Sequence, residues 1–156
     1  VLRPLGEKAG ARHRWGRSVM WSAHFAIPIA PKAKGRPRMR VVNGHAQAYT
    51  PKKTRVFETT ASELIAKHSP PELLVGPVSL TVIFVLPRPK RLCRKKDPDS
   101  TTVSCDKRPD LDNLMKSLLD AIQNSGQMWT DDSQVQHINA EKVYAEKTGN
   151  LGLKFA

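Results

Sequence analysis

The sequence predicts a single small α/β domain in which a β-sheet is packed by two main helices. Its 156 residues suit one domain, at roughly 100 to 200 residues per domain. Residues 78–86 alternate between two apolar faces and are rich in β-branched side chains, which is typical of a buried strand. Residues 111–122 carry apolar side chains at helical spacing, which indicates an amphipathic helix that packs on the sheet.

The first strand and the loop after it differ in composition. Between Ala23 and Ile29, apolar residues recur at every second position, which predicts a half-buried strand. Pro28 favours the edge of the sheet for this strand. Residues 31–40 then hold five cations punctuated by proline and glycine, and they are predicted to form an extended basic loop.

A helix and the central strand follow. Thr50 is a suitable N-cap and Pro51 a suitable first helical residue, so the first helix is predicted to run to about Lys67. The prolines at 70–71 end it. The strand over residues 78–86 is expected to be central in the sheet.

The remaining segments are a charged loop, a helix and two strands. Residues 87–109 are rich in proline and cations, which favours a flexible or disordered loop. The second helix is predicted from Leu111 to about Ile122. Residues 135–144 and 151–155 are predicted to be strands around a turn at 147–150. Residues 1–22 are interpreted as a basic N-terminal extension outside the fold, and residues 23–156 as the folded domain.

Charge and hydropathy limit the class of protein. The chain has 26 Lys plus Arg against 14 Asp plus Glu, and residues 1–55 hold thirteen of the cations with a single acid. Such an excess indicates a polyanionic partner, nucleic acid first. No apolar run approaches the roughly 18 residues of a membrane span, so no membrane partner is expected. Two cysteines without a secretory signal favour reduced thiols in a cytoplasmic protein.

The most informative feature is a group of carboxylates in this basic chain. Asp110 and Asp112 flank the predicted start of the second helix, and Asp131 and Asp132 follow its end. Residues i and i+2 of a helix do not face each other, so Asp110 must precede the helix, and Pro109 favours that boundary. Carboxylates from separate elements can surround a hard cation such as Mg²⁺ or Mn²⁺. Beside a basic surface, such a cage is what metal-assisted phosphodiester hydrolysis requires.

Lys116 lies one turn beyond Asp112 on the same side of the helix, where it can pair with that carboxylate or reach a phosphate. Each of these features also has a purely structural interpretation. An Asp at a helix start often only caps it, Asp-Asp pairs are common in turns, and Asp–Lys pairs at i, i+4 often lie on the surface. It is the combination of so many acids around one short helix that favours a metal site.

These residues resemble the RusA-type Holliday-junction resolvases, a family of metal-dependent endonucleases that cut four-way DNA junctions. The family pattern is an Asp-x-Asp-Asn-Leu-x-Lys run leading into a helix, followed by Asp-Ala, Gly, an aromatic residue and Asp-Asp-x-Gln-Val. Its counterparts here are residues 110–116, Asp120-Ala121, Gly126, Trp129 and residues 131–135. The segments 31–40 and 49–54 also look like those of many members, so that the resemblance spans about residues 25–155.

The resemblance implies a small α+β fold, with a mixed sheet packed by two helices, that works as a homodimer. Two sites related by a two-fold axis match a four-way junction, whose resolution needs two opposed nicks. By the same resemblance, Asp110, Asp112 and one residue of the Asp131-Asp132 pair hold the metal, and Lys116 is an essential basic partner in catalysis. Of the pair, Asp132 is favoured as the main ligand and Asp131 as the accessory one. Mg²⁺ is the expected ion, with Mn²⁺ as an alternative.

On this interpretation the basic segments form the DNA-binding surface, through phosphate contacts that carry no sequence information. The residues expected there are Lys32, Lys34, Arg36, Arg38, Arg40, Lys52, Lys53, Arg55, Arg88, Lys90 and Arg91. Trp129, beside the acids, is expected to pack under the turn rather than to stack on a base. Asp120 is expected to be structural because it lies two turns from Asp112.

The resulting hypothesis is a Mg²⁺-dependent dimeric endonuclease that resolves Holliday junctions by paired symmetric nicks in DNA recombination and repair. Family habit places such a protein in the cytoplasm of a bacterium, encoded by the host or a phage and associated with the nucleoid, with branched DNA and a second copy of the chain as its partners. Two alternatives remain open. One is a non-catalytic DNA-binding protein whose acids are helix caps and surface pairs, and the other is a metal-dependent nuclease that acts on other branched or duplex DNA.

Overall fold

The structure is a computed structural model, and it describes residues 21–97, 103–147, 149 and 151–155. The basic extension predicted for residues 1–22 therefore lies outside the described residues except for its last two positions. Of these, Trp21 packs against the hydrophobic core. In the described part of the chain, no helix is both long enough and apolar enough to cross a lipid bilayer.

A five-stranded mixed sheet forms the centre of the molecule. The strands of the described residues are β1 (Phe25–Ile27), β2 (Arg38–Val42), β3 (His45–Tyr49), β4 (Val78–Leu86), β5 (Val103–Ser104), β6 (Val135–Tyr144) and β7 (Gly152–Phe155). The order in the large sheet is β1-β7-β4-β6-β5. Only β4 and β6 pair in parallel. Strand β4 is therefore central and β1 lies at an edge, as the sequence predicts.

Two helices cover one face of this sheet. They are α1 (Lys52–Ala66) and α2 (Leu111–Ser125), and each contributes its apolar stripe to a single core with alternate residues of β4. The fully buried centre of this core includes Ile27, Ile65, Val82, Phe84, Leu114, Leu118 and Leu153. A mixed sheet packed by two helices is the predicted α+β fold.

The start of α1 and the end of α2 lie one to three residues away from their predicted positions. The N-cap of α1 is Pro51 rather than Thr50, and no side chain caps it. Helix α2 continues to Ser125, past the expected end near Ile122, because Gly126 supplies the left-handed backbone (φ 63°) that closes the helix.

Strands β6 and β7 lie where they are predicted along the chain, but they do not pair with each other. Strand β6 pairs with one edge of β4 in parallel, and β7 pairs with the other edge in antiparallel fashion, for example Val82 with Phe155. Both edges of the most apolar strand are thereby hydrogen-bonded inside the sheet. The turn between β6 and β7 consequently carries the chain past the end of β4.

The predicted basic loop is partly wrong, because its end forms a β-hairpin. Strands β2 and β3 pair in antiparallel fashion around Asn43 and Gly44, which have φ of 51° and 78°. A two-residue Asn-Gly turn with positive φ is a strong hairpin signal. Every residue of the hairpin strands is exposed.

Residues 87–109, predicted as an irregular loop, contain short regular elements in their described part. Lys90–Leu92 form a 3₁₀ turn, and β5 adds the edge strand beside β6. A second small cluster of Leu86, Cys105 and Tyr144 lies beneath this segment. The segment therefore packs on the carboxyl ends of β4 and β6.

Candidate functional site

The start of α2 presents two carboxylates. Asp110 occupies the N-cap position with extended backbone (φ −71°, ψ 140°), yet its side chain makes no capping hydrogen bond within the described chain. Asp112 lies in the first helical turn, and its side chain is 64% exposed. The positive end of the helix dipole favours negative charge at this position. Neither carboxylate is buried, so both are accessible to a ligand.

Lys116 completes this group, which we call the helix-start site (Asp110, Asp112 and Lys116). Its Nζ donates a hydrogen bond to Asp112 Oδ2 at 3.1 Å across one helical turn. That hydrogen bond is the main cause that lowers the pKa of the Asp112 carboxyl below its ordinary value. Asp112 is therefore ionised at neutral pH, in the form that binds a cation.

The second pair of acids, Asp131 and Asp132, forms what we call the acidic turn. Asp131 caps the 3₁₀ turn Asp132–Gln134: its Oδ1 accepts a hydrogen bond from the Ser133 backbone N–H at 2.9 Å, and the Gln134 side chain accepts from the Asp131 N–H. Hydrogen bonding to Ser133 lowers the pKa of Asp131. The Asp132 side chain is exposed and makes no hydrogen bond or ion pair with another described residue, so its carboxylate is the freer of the two.

Within one chain, the acidic turn lies at the opposite end of α2 from the helix-start site. The Gln123 side chain donates to the Thr130 carbonyl at 3.1 Å and accepts from Trp129 Nε1 at 3.0 Å, which ties the turn to the last part of α2. Asp112 and Gln123 are eleven residues apart, or about 16 Å at 1.5 Å per residue of helix. Trp129 itself is 3% exposed and packs in the core, as predicted.

The other end of β6 confirms this separation. Lys142 lies seven residues after Val135, the first residue of β6, or about 23 Å along the strand, and it is Lys142 that reaches the loop before α2. Its Nζ donates to the carbonyls of Lys107 and Pro109 at 2.7 and 2.8 Å. Among the described residues, no three His, Cys, Asp or Glu side chains gather closely enough to hold a metal.

The structure therefore brings Asp110, Asp112 and Lys116 together but leaves Asp131 and Asp132 apart from them in the single chain. Sequence spacing does not reveal this separation, because it depends on the length and direction of α2. Nor does it reveal Lys142, whose two contacts arise only from the position of β6 in the sheet. The roles predicted for the five charged residues of the helix-start site and the acidic turn stay predictions.

The basic loop is anchored on α2 by one of its own cations. The backbone N–H of Lys34 donates to the Asn113 carbonyl at 2.9 Å, and its ammonium pairs with Asp120. The backbone N–H of Gly35 donates to the buried hydroxyl of Thr54 on α1 at 3.1 Å. Lys34, predicted to contact DNA, thus has a carboxylate partner within the chain.

Glu58 of α1 lies against this anchor. Burial and, second, the Asp120 carboxylate raise the pKa of Glu58 above its ordinary value, while the Lys34 ammonium opposes them. One carboxylate oxygen of Glu58 is buried without a hydrogen-bond partner among the described residues. The loop, α1 and α2 therefore meet at a cluster of three charged groups.

The other predicted DNA contacts lie on several elements. Arg38 and Arg40 are on β2, where Arg40 stacks over the Tyr49 ring at 5.6 Å and donates to Gln47. Lys32 and Arg36 are exposed in the loop, Lys52, Lys53 and Arg55 are exposed at the start of α1, and Lys90 and Arg91 are exposed in the 3₁₀ turn. Arg88 is half-buried, with two guanidinium nitrogens that meet no hydrogen-bond partner among the described residues.

A cleft of about 480 Å³ opens beside the helix-start site, and the sequence gives no sign of it. We call it the proline-walled cleft. Its walls include Pro31, Pro87, Pro89 and Pro109, and its cations are Lys32, Arg91, Lys107 and Arg108. Residues 31–33, 86–91 and 107–109 and Tyr144 of β6 meet there, at the carboxyl end of β4.

An α+β fold with acids at a helix start and cations on the segments around it suits a protein that acts on nucleic acid. A family model described as "Endodeoxyribonuclease RusA" matches residues 28–153, and the chain belongs to this family. It is 30% identical over 127 residues to the uncharacterized protein YqaN of Bacillus subtilis (strain 168), covering 79% of this chain and 88% of that protein. It is 29% identical, with the same coverage, to a protein of Lactococcus phage r1t named crossover junction endodeoxyribonuclease rusA.

Proposed function

We propose that the protein is a Mg²⁺-dependent endodeoxyribonuclease that resolves Holliday junctions by paired nicks as a homodimer. The proposal rests on one observation: a member of the RusA family presents two exposed carboxylates and a lysine at the start of α2. The phage relative is named for crossover-junction cleavage, and the excess of 26 cations over 14 acids suits a DNA substrate. Junction resolution is one step of DNA recombination and repair.

The donor groups fit a hard divalent cation. Carboxylate oxygens are the ligands that Mg²⁺ and Mn²⁺ prefer, and Mg²⁺ keeps several waters, so that it needs few protein ligands. The Asp110 side chain makes no capping hydrogen bond to α2 within the described chain, and Asp112 is ionised and exposed. We assign Asp110, Asp112 and Asp132 as ligands, with Asp131 accessory because its side chain already caps the 3₁₀ turn. A bound metal would polarise the phosphodiester and lower the pKa of a water.

Lys116 has two tasks in this proposal. Its ammonium lowers the pKa of Asp112, so that the carboxylate stays ionised to lower pH than an unpaired one would. It also places positive charge beside the position of the scissile phosphate, where negative charge develops during hydrolysis. Mn²⁺ is the alternative ion, since it prefers the same donors.

A second copy of the chain would bring an acidic turn to the helix-start site, which the acidic turn of the same chain does not reach. Because Asp132 and the helix-start site lie at opposite ends of α2, we propose that the acidic turn of one copy approaches the helix-start site of the other. A two-fold axis then creates two equivalent sites from one interface. Two such sites match the two opposed strands that are cut in a four-way junction.

The test is cleavage of a labelled synthetic four-way junction beside a linear duplex of matching sequence, with Mg²⁺ or with EDTA. Wild type should make paired symmetric nicks in the junction only, and only with metal. Asp112→Asn should lose cleavage and keep junction binding, because a ligand is lost while repulsion of phosphate falls. Glu72→Gln, at an exposed acid outside both acidic groups, is the matched control and should cut normally.

Other outcomes separate the rival functions. Binding without cleavage under every condition would leave a non-catalytic DNA-binding protein and would contradict the assignment of the acids. Equal cleavage of junction and duplex would indicate a metal-dependent nuclease of broader specificity.

A further inference from the structure

The proline-walled cleft is a defined cavity with the chemistry of a nucleotide site. Its volume of about 480 Å³ lies within the range of about 300 to 1,000 Å³ that is usual for small-ligand pockets. No carboxylate is among its lining residues, whereas four cations are, of which Lys107 pairs with Asp106 outside the lining at 3.1 Å. The cleft therefore favours an anionic ligand.

The interior of the cleft is apolar, in contrast to its rim. Pro31, Leu86 and Tyr144 are buried side chains that line it, and Tyr144 is only 6% exposed. Lys32, Arg91, Lys107 and Arg108 are exposed around them. A flat apolar group inside with phosphates at the rim is the chemistry of one nucleotide of a DNA strand.

The walls of the cleft are held by hydrogen bonds at defined positions. Lys142 donates to the carbonyls of Lys107 and Pro109, and the Leu86 carbonyl accepts from the Ala145 N–H at 2.8 Å. The proline rings restrict the backbone further. A cavity of this kind is largely formed before a ligand arrives, which lowers the entropic cost of binding.

The position of the cleft relates it to the helix-start site. Pro109 forms part of the wall, and the next residue is Asp110. Whatever occupies the cleft therefore lies against the residue that precedes Asp110, at the entry to α2. The basic loop contributes Pro31, Lys32 and Ala33 to the lining.

We propose that the proline-walled cleft binds one nucleotide of the strand to be cut, adjacent to the scissile phosphate, and thereby contributes to the choice of cut site. This inference rests on the proposed nuclease function. In this proposal, Lys107 and Arg108 bind the phosphates that flank the nucleotide, and the apolar interior of the cleft holds its base or sugar.

Filling the cleft tests the proposal without removing a charge. Ala33 lines the cleft, whereas Ala30 is an exposed residue of the same segment outside it. Ala33→Trp should weaken junction binding at least about tenfold, as expected when one base loses its contact, and should change the distribution of cut sites over junctions of varied sequence. Ala30→Trp is the matched control and should behave as wild type. Wild-type affinity and cut-site distribution in Ala33→Trp would overturn the proposal.

A second arm uses the wild-type chain and stays decisive if Ala33→Trp does not fold. Junctions carrying 4-thiothymidine on either side of the cut are irradiated, and the crosslinked peptides are identified by mass spectrometry. Crosslinks to the segments that line the cleft, residues 31–33, 86–91 and 107–109, support the proposal, and crosslinks confined to segments outside the lining overturn it. If wild type cuts no junction, the nuclease function fails, and the crosslinks still decide whether the cleft holds a nucleotide.

Discussion

Lys116 is the residue whose charge bears most directly on the helix-start site. Its hydrogen bond lowers the pKa of Asp112, so the carboxylate stays ionised to lower pH than an unpaired one would. We expect Lys116→Met to reduce junction cleavage by about a hundredfold or more, the usual cost of one electrostatic contact to the transition state.

The pH dependence distinguishes the two tasks of Lys116. Without the ammonium, the pKa of Asp112 rises toward its ordinary value, so metal binding in Lys116→Met should be lost at a higher pH than in wild type as the solution is acidified. Titration of Mn²⁺ binding between about pH 3 and 7 measures this shift, with Lys67→Met, an exposed lysine at the end of α1, as control. An unchanged acidic limb would contradict the role of the pair.

Lys142 is a positioning residue by the same reasoning. Its ammonium binds two backbone carbonyls in the loop that leads into Asp110, and hydrogen bonds to charged groups are the stronger ones. We expect Lys142→Met to lower cleavage about 10- to 100-fold, as for residues that orient a metal ligand, and to raise the Mg²⁺ concentration needed for half-maximal activity. Junction affinity should change little. Lys154→Met, at an exposed lysine of β7, should change neither quantity.

Individual contacts differ in how far the sequence reveals them. The Asp112–Lys116 pair follows from helical spacing alone, and so does the cap position of Asp110. The pairing of Lys34 with Asp120 joins residues 86 positions apart, and Lys142 reaches Pro109 across 33 positions. Such contacts depend on how the loop, α2 and β6 pack, which no local pattern contains.

At the scale of elements, α2 and β4 are predicted well because a long apolar periodicity leaves no competing interpretation. The hairpin β2–β3 is missed because its cations dominate the interpretation of residues 31–40, although Asn43-Gly44 is a hairpin signal. Strands β6 and β7 are located correctly without their partners. Periodicity identifies a strand, and only the arrangement of the whole sheet decides which neighbour it pairs with.

The packing of α1, α2 and the basic loop makes stability depend on pH through Glu58. Burial and Asp120 raise the pKa of Glu58, so the folded chain holds this proton more tightly than the unfolded chain. Stability from this group is therefore present at pH below the ordinary pKa of a glutamate and is lost as the pH rises through the elevated value.

Glu58→Gln should remove this dependence. We expect the variant to have a higher melting temperature than wild type at pH 7 and no advantage near pH 4. Thermal unfolding at both pH values checks this, with Glu63→Gln, an exposed glutamate of the same helix, as control. A lower melting temperature for Glu58→Gln at pH 7 would mean that the ionised carboxylate is stabilised by Lys34 after all.

At the scale of the whole molecule, the exposed cations and the acidic turn lie on different parts of the described surface. Apart from Lys34, which pairs with Asp120, the cations of the basic loop, the start of α1 and the 3₁₀ turn are exposed. They lie on segments that surround the helix-start site or lead to it. The acidic turn lies beyond the other end of α2. On the proposed function, one chain would carry the DNA-binding half of a site together with the complementary acid for another copy.

Mixing two inactive variants tests this composite site. In a mixed dimer of Asp112→Asn and Asp132→Asn chains, one site carries both substitutions and the other carries neither. Random exchange of subunits should restore about a quarter of the wild-type sites, and the product should be singly nicked junctions rather than paired cuts.

The matched control mixes Asp110→Asn with Asp112→Asn chains. Both substitutions fall in the same half of the proposed site, so every site in every dimer keeps one defect and no activity should return. Exchange is verified by co-purification of differently tagged chains. If exchange occurs and the first mixture stays inactive, each site draws all its acids from one chain, and the acidic turn would have to move along α2 to reach Asp112. Because Gln123, Trp129 and Thr130 hold that turn at the far end of the helix, such a movement requires these hydrogen bonds to break. A site shared between two copies requires no such change.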